Sequence, residues 1–117
     1  MAEVLRGQVE GVFLGKADAI LASHMHGYER TQPVFNSTVR GNGTAPIHLV
    51  NGAAGNREGN ENPKGDAPWS APGAHTGAFS YAIMTFSSAE FTYTVYESST
   101  NAILDSVALA KKKNKYW

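Results

Sequence analysis

The C-terminal third of the chain most narrowly constrains its fold. Phe79, Tyr81, Ile83 and Thr85 alternate with Ser80, Ala82, Met84 and Phe86. Phe91, Tyr93 and Val95 alternate with Thr92, Thr94 and Tyr96. A third run sets Ile103, Asp105, Val107 and Leu109 against Leu104, Ser106 and Ala108. A period of two marks extended chain with its faces in different surroundings. The β-branched and aromatic residues involved suit strands. Segments 87–89 and 98–101 are of hairpin length. The pattern predicts three consecutive antiparallel strands, a meander with at least one buried face.

The N-terminal half reads differently. Val4, Leu5, Val9, Val12 and Phe13 recur at three- and four-residue spacings, which predicts an amphipathic helix over residues 3–14. Gly7 and Gly11 weaken it and Gly15 suits its end. The apolar run after Asp18, Ala19 to Ala22, does not alternate and predicts a strand buried on both faces. Helix, glycine and buried strand together follow an α/β rhythm. Residues 33–35 suit a short strand, 36–45 a loop and 47–50 another strand. Residues 51–77 are rich in glycine and proline and longer than the usual connection. A loop of that size is expected to be functional, or packed on something outside this chain.

A chain of 117 residues is enough for one small domain. Ten Lys and Arg balance ten Asp and Glu. Zero net charge argues against a general nucleic-acid or membrane-surface role, since both need a basic excess. The lysines at 111–113 and 115 read as a solvated tail. The absence of cysteine excludes disulfides, zinc ribbons and thiol catalysis. No apolar run approaches the ~18 residues of a membrane span. The first eleven residues carry acidic groups and no apolar core, so no export signal is read there. At face value that start is cytosolic. Asn36-Ser37-Thr38 and Asn42-Gly43-Thr44 fit the glycosylation pattern, which has meaning only for a secreted protein.

The chemistry concentrates in "ASHMHGYERT", residues 22–31. In extended chain, residues i and i+2 share a face. His24 and His26 can therefore point together from the C-terminal end of an apolar strand, where open α/β sheets gather their ligands. Neutral imidazole is a common metal ligand. Two at this spacing can share one metal, or serve two metals ~3.5–4 Å apart. Two ordinary surface or hydrogen-bonded histidines fit the same residues. One pair does not complete a catalytic site, because zinc takes at least three protein ligands. His48, inside an apolar strand, reads as a satisfied core residue. His75, in the glycine-rich stretch, reads as solvated.

The segment "DAILASHMHGYERTQPVFN" resembles the last metal-binding block of the purple acid phosphatases, within the metallophosphoesterases. Asp18, His24, His26, Tyr28, Glu29 and Arg30 match that block in order. "IHLVNGAAGNREG" resembles the family's strand-to-glycine stretch, with Gly55, Asn56, Glu58 and Gly59 matching. "PWSA" at 68–71 resembles the Pro-x-Trp-Ser segment, and "ILDSVALAKK" the closing strand, where Asp105 and Ser106 match. The similarity runs from about residue 4 to the end. Two departures stand out. Ser23 replaces the glycine expected before the first histidine, where a Cβ could crowd a tight turn. The family's earlier blocks are also missing; they supply an aspartate, a Gly-Asp-x-x-Tyr, a Gly-Asn-His-Asp/Glu and a further histidine.

The resemblance implies an α+β fold: the C-terminal portion of a metallophosphoesterase-type α/β sandwich, one helix followed by mostly antiparallel strands. Residues 1–117 would form a single partial domain, with the family's C-terminal segment from about 45 to 117. It implies a binuclear centre, Fe3+ with Zn2+, Mn2+ or Fe2+, that activates a hydroxide for attack on a phosphate monoester without a protein nucleophile. His24 would bind the divalent metal and His26 the ferric one. Tyr28, Glu29, Arg30 and Asn56 would shape the loop or contact substrate, and no residue here would be catalytic by itself. With most ligands outside these residues, the chain is expected to be inactive alone and to hold metal weakly. It would bind no nucleic acid or membrane, and would expose a sheet edge open to self-association. Relatives are commonly secreted. Two alternatives stand beside this reading. One is a non-catalytic β-rich binding or regulatory module of the same stock. The other is an amidohydrolase-like metallohydrolase with one zinc, against which the antiparallel C-terminal third argues.

Overall fold

The computed structural model describes residues 2–111, and side chains from residue 6 onward. The lysines at 112, 113 and 115 of the basic tail lie outside the described residues. Helix α1 spans Ala2–Phe13. It ends where Gly15 turns left-handed at φ 74°, with the Lys16 and Ala17 amides both 3.0 Å from the Phe13 carbonyl. No described helix is long and apolar enough to cross a membrane.

Nine strands follow among the described residues: β1 (Ala19–Ala22), β2 (Tyr28–Thr31), β3 (Val34–Phe35), β4 (Thr38–Val39), β5 (Ile47–Asn51), β6 (Ser70–Thr76), β7 (Ser80–Phe86), β8 (Glu90–Glu97) and β9 (Ile103–Ala110). The first sheet has the order β1-β5-β2-β6. Within it β1 and β5 are parallel, Ala19 facing Ile47 and Ala22 facing Val50, while β2 runs antiparallel to both β5 and β6. The second sheet is the expected meander, β7-β8-β9. Strands β3 and β4 form a small hairpin, whose turn residues Asn36 and Ser37 are both left-handed. Strand β3 falls within the short strand expected at 33–35, whereas β4 lies inside the stretch expected to be a loop. The hairpin is held to α1 by Arg6 on Ser37 Oγ (2.7 Å) and by the Asn36 amide on Glu10 Oε1 (2.8 Å).

The core forms where the two sheets meet. Tyr28, Ile47 and Leu49 from the first sheet pack with Tyr93 and Val95 from the second, and Phe91, Val107 and Leu109 close around them. Alternation places these residues on one face of each strand, so burying that face joins the layers. One phase of the third alternating run departs from expectation. A bulge in the β8–β9 pairing sets Tyr96 opposite Ile103 and Val95 opposite Asp105. The extra residue shifts the phase: Ile103 is 63% exposed, and Leu104 packs against the core.

Strand β1 is not buried on both faces. Leu21 is 50% exposed, because β1 is an edge strand and Leu21 lies on the face away from α1, in a groove beside the exposed Met84 and Phe86. Between α1 and the sheet lies a cavity of about 630 Å³, with Val9, Phe13, Ile20, His48 and Trp69 among its walls.

Candidate functional site

His24 and His26 lie in the five-residue connection from β1 to β2, beside the C-terminal ends of parallel β1 and β5. His24 is exposed and His26 half-buried, so neither ring is sealed in hydrocarbon. The connection is strained at one point: His24 takes φ 87°, a region that residues with a Cβ rarely occupy. Ser23 has no such demand. The expected crowding at residue 23 is therefore replaced by torsional strain at the histidine itself.

Main-chain bonds pin this connection. The Gly27 amide donates to the Met25 carbonyl (2.9 Å), Gly52 to the Gly27 carbonyl (3.1 Å) and Glu61 to the His26 carbonyl (2.7 Å). Such closeness depends on glycine. A Cβ on Gly52 would stand 2.1 Å from the Met25 oxygen, and one on Gly27 would stand 2.9 Å from Pro63 Cδ. A Cβ on Gly77 would be 2.7 Å from the Glu61 oxygen. Sequence reasoning missed this role for Gly27, Gly52 and Gly77. The one available signal was Gly52 immediately after an apolar strand.

Tyr28, Glu29 and Arg30 open β2 and alternate between its faces. Tyr28 and Arg30 turn to the second sheet and meet there on Asp105. The phenol donates to Oδ2 at 2.5 Å, and Arg30 donates through Nε to Oδ2 (2.8 Å) and through Nη2 to Oδ1 (3.0 Å). Tyr28 is fully buried and stacks on Tyr93, ring centroids 6.5 Å apart. Burial alone would raise the Asp105 carboxyl; the hydrogen bonds from Arg30 and Tyr28 outweigh it and hold the group below the usual carboxylate value. Burial, then the bond to Asp105, push the Tyr28 phenol above its ordinary value. The same carboxylate raises Arg30 further. Glu29 turns to the opposite face, where Ser70 Oγ donates to its Oε1 at 2.5 Å.

Asn56 closes a local turn. Its Oδ1 accepts the Glu58 amide at 2.8 Å, between left-handed Gly55 and Gly59. His48 projects toward the cavity under α1, where burial pushes its pKa down. His75 is not in a solvated loop. It sits in β6 opposite Glu29, its Nδ1 buried without a hydrogen-bond partner. Its ring is pressed so close to Gly65 that a Cβ there would lie 2.2 Å from Cδ2. Among the described residues, no group of three or more His, Cys, Asp or Glu is arranged to hold a metal.

Residues 45–106 match the family described as "Iron/zinc purple acid phosphatase-like protein C". Acid phosphatase A of Cryphonectria parasitica is 39% identical over 93 residues, covering 75% of this chain and 18% of that protein. Purple acid phosphatase 22 of Arabidopsis thaliana is 36% identical over 58 residues, covering 49% of this chain and 13% of that protein. The structure of a purple acid phosphatase from yellow lupin (Lupinus luteus) seeds superposes with a TM-score of 0.77 over 90% of this chain and 20% of its own, at 22% identity, a likeness of fold. The chain thus spans a fifth or less of each protein it matches. Because the family match covers more than half of its residues, this chain belongs to the purple acid phosphatase family.

Proposed function

We propose that residues 1–117 are one partial domain, the C-terminal part of a binuclear-metal acid phosphatase acting on phosphate monoesters. Its family segment runs from about 45 to 117. In this reading His24 and His26 provide two of the metal donors, and the chain alone does not turn over substrate. The observation that carries it is the placement of His24 and His26 on a main-chain-pinned connection at the C-terminal ends of two parallel strands. Exposure of His24 and half-exposure of His26 leave both rings reachable from solvent.

The donor chemistry fits the metals that the resemblance implies. Imidazole nitrogens suit zinc and iron, and two of them leave most of a coordination sphere for donors from elsewhere. Bound metals of this kind supply Lewis acidity and lower the pKa of water at the site. What this chain contributes is the fixed path of residues 23–27 and the anchoring of its exit by Tyr28, Glu29 and Arg30. Asn56 holds the neighbouring turn. The edge of β1 that no described strand pairs is the proposed route of self-association.

The test is a cobalt(II) or zinc titration of the labelled chain followed by histidine ring resonances, run beside an assay with an aryl phosphate. His24 and His26 should shift with weak affinity, His48 and His75 should not, and turnover should match that of a His24→Ala/His26→Ala variant. Metal that leaves the first two rings unmoved would remove their assignment as donors. Turnover abolished by the double variant would show that the chain is active alone, against this proposal.

A further inference from the structure

We propose that Asp105 is a positioning residue for the His24–His26 connection, holding its exit through Tyr28 and Arg30 from the opposite sheet. The inference rests on the reading of that connection as the metal-donating segment, and adds to it a residue about eighty positions away in sequence.

Three observations converge. The first is how the connection is tied. Its middle is fixed to the first sheet's own loops, through Gly27 on Gly52 and His26 on Glu61. Its exit is fixed by side chains to the second sheet: Tyr28 immediately follows Gly27, and its phenol lies on Asp105 at 2.5 Å. Arg30, two residues on and on the same face, grips the same carboxylate at both oxygens. A two-pronged Arg–carboxylate contact fixes direction as well as distance. A neutral hydroxyl sharing the acceptor fixes where Tyr28 begins.

The second is the register of β9. Asp105 pairs opposite Val95, which is fully buried between the sheets, in unbroken phase with Val107 and Leu109. Alternation therefore turns its side chain to the same inner face as those apolar neighbours. The register shifts only beyond it, at Ile103 and Leu104. A carboxylate on that face meets β2 instead of water.

The third is the strain at His24, φ 87°. A residue held in a sparsely populated conformation relaxes unless both its flanks are fixed. Strand β1 fixes one flank. On the other side, the Asp105 contacts keep Tyr28 in place.

A general stabilising ion pair makes a different prediction, and amide hydrogen exchange separates the two. Asp105→Asn and the milder Tyr28→Phe are compared with Val107→Ala. That control removes core packing from the same strand, and all variants are brought to equal global stability with denaturant. The positioning role predicts that exchange at the Gly27, Gly52 and Glu61 amides speeds up at least ten-fold more than at the β7–β8 ladder amides in the first two variants. In Val107→Ala the two sets should move together. Cobalt(II) affinity should fall at least five-fold in Asp105→Asn relative to Val107→Ala. Equal acceleration of loop and ladder amides in Asp105→Asn, or in Tyr28→Phe should the former not fold, would overturn the proposal. If cobalt never reaches His24 and His26 in the parent chain, the metal-donor reading fails, and the exchange comparison still decides the role of Asp105.

Discussion

Gly52 and the carbonyl of Met25 approach so closely that a Cβ on residue 52 would lie 2.1 Å from the oxygen and 3.4 Å from the His24 amide nitrogen. Both neighbours are main chain, so neither can swing aside as a side chain does. The φ of Gly52 is not left-handed, and the demand is therefore for space alone. Gly52→Ala should destabilise the chain by about 2–3 kcal/mol, the upper range for overpacking, and should displace the Met25 and His26 amide resonances. Gly7→Ala on α1 is the contrast. Nothing lies within 4 Å of its would-be Cβ, so helix propensity should give a gain of up to ~1 kcal/mol. Urea midpoints measure both. Unchanged stability in Gly52→Ala would mean that the connection does not pack against the end of β5 as described.

His24 sits at φ 87°, where a Cβ is strained and glycine is not. Both His24→Gly and His24→Ala remove the imidazole, yet they should not be equivalent. The alanine variant keeps the strain, and the glycine variant relieves it. His24→Gly is expected to be the more stable by about 1 kcal/mol, with the strain relief partly offset by the added freedom of the unfolded chain. Paired thermal melts check this. If alanine proves the more stable, residue 24 is not left-handed in solution.

The meander was legible because each strand alternates cleanly and is bounded by short polar turns. The His-x-His pair was legible because two imidazoles after an apolar run stand out in any chain. Strand β6 was not legible. Ser70 to Thr76 contains Pro72, Gly73 and two alanines, which read as loop. It becomes a strand because β2 needs a partner on its second side; as an edge strand it tolerates a proline. Gly73, at φ 71°, lies in the part of β6 where the register with β2 shifts. His75 was misplaced with it, since its burial follows from that pairing. The convergence of Tyr28 and Arg30 on Asp105 had no local trace, because the partners are 77 and 75 residues apart. The phase error at Ile103 and Leu104 has a similar origin. A single bulge inverts every inward and outward assignment on one side of it.

The Asp105 contacts set how stability depends on pH. Its carboxyl is held lower in the fold than in the unfolded chain. The contribution is therefore complete above the ordinary carboxylate pKa of about 3.9 and is lost as pH falls through the lower, folded value. Tyr28 is raised in the fold, so its contribution is complete below the ordinary phenol pKa of about 10. That part is lost as pH rises toward the folded value. Asp105→Asn should cost about 3 kcal/mol near neutrality, because it leaves the largely buried Arg30 guanidinium without its charge partner. The deficit should shrink in acid, where the parent loses the same term. Tyr28→Phe should flatten the alkaline limb and shrink the acid limb only in part, since Arg30 still holds the Asp105 carboxyl low. Urea midpoints across the pH range read both, and a deficit for Asp105→Asn that persists undiminished at the acid end would contradict the assignment.

The last expectation concerns the open edge of the first sheet. Among the described residues β1 pairs with β5 alone, so its other edge carries unpaired amides and carbonyls. Beside it Phe86 is 75% exposed, Leu21 50% and Met84 46%. These three, with Phe91 and Leu109, help to wall a groove of about 370 Å³. An unpaired edge next to apolar side chains is a template for another strand. Zero net charge offers no repulsion between copies. The chain should therefore sediment as a concentration-dependent mixture of monomer and larger species. Leu21→Lys and Phe86→Lys should each shift it toward monomer, because a lysine at either position places charge where a second copy would pack. Since both positions are exposed, the substitutions should change the unfolding free energy by no more than ~0.5 kcal/mol. That separates loss of association from loss of fold. Sedimentation velocity over a range of concentrations gives the answer: a strictly monomeric parent chain, or lysine variants that associate as the parent does, would place self-association elsewhere or nowhere.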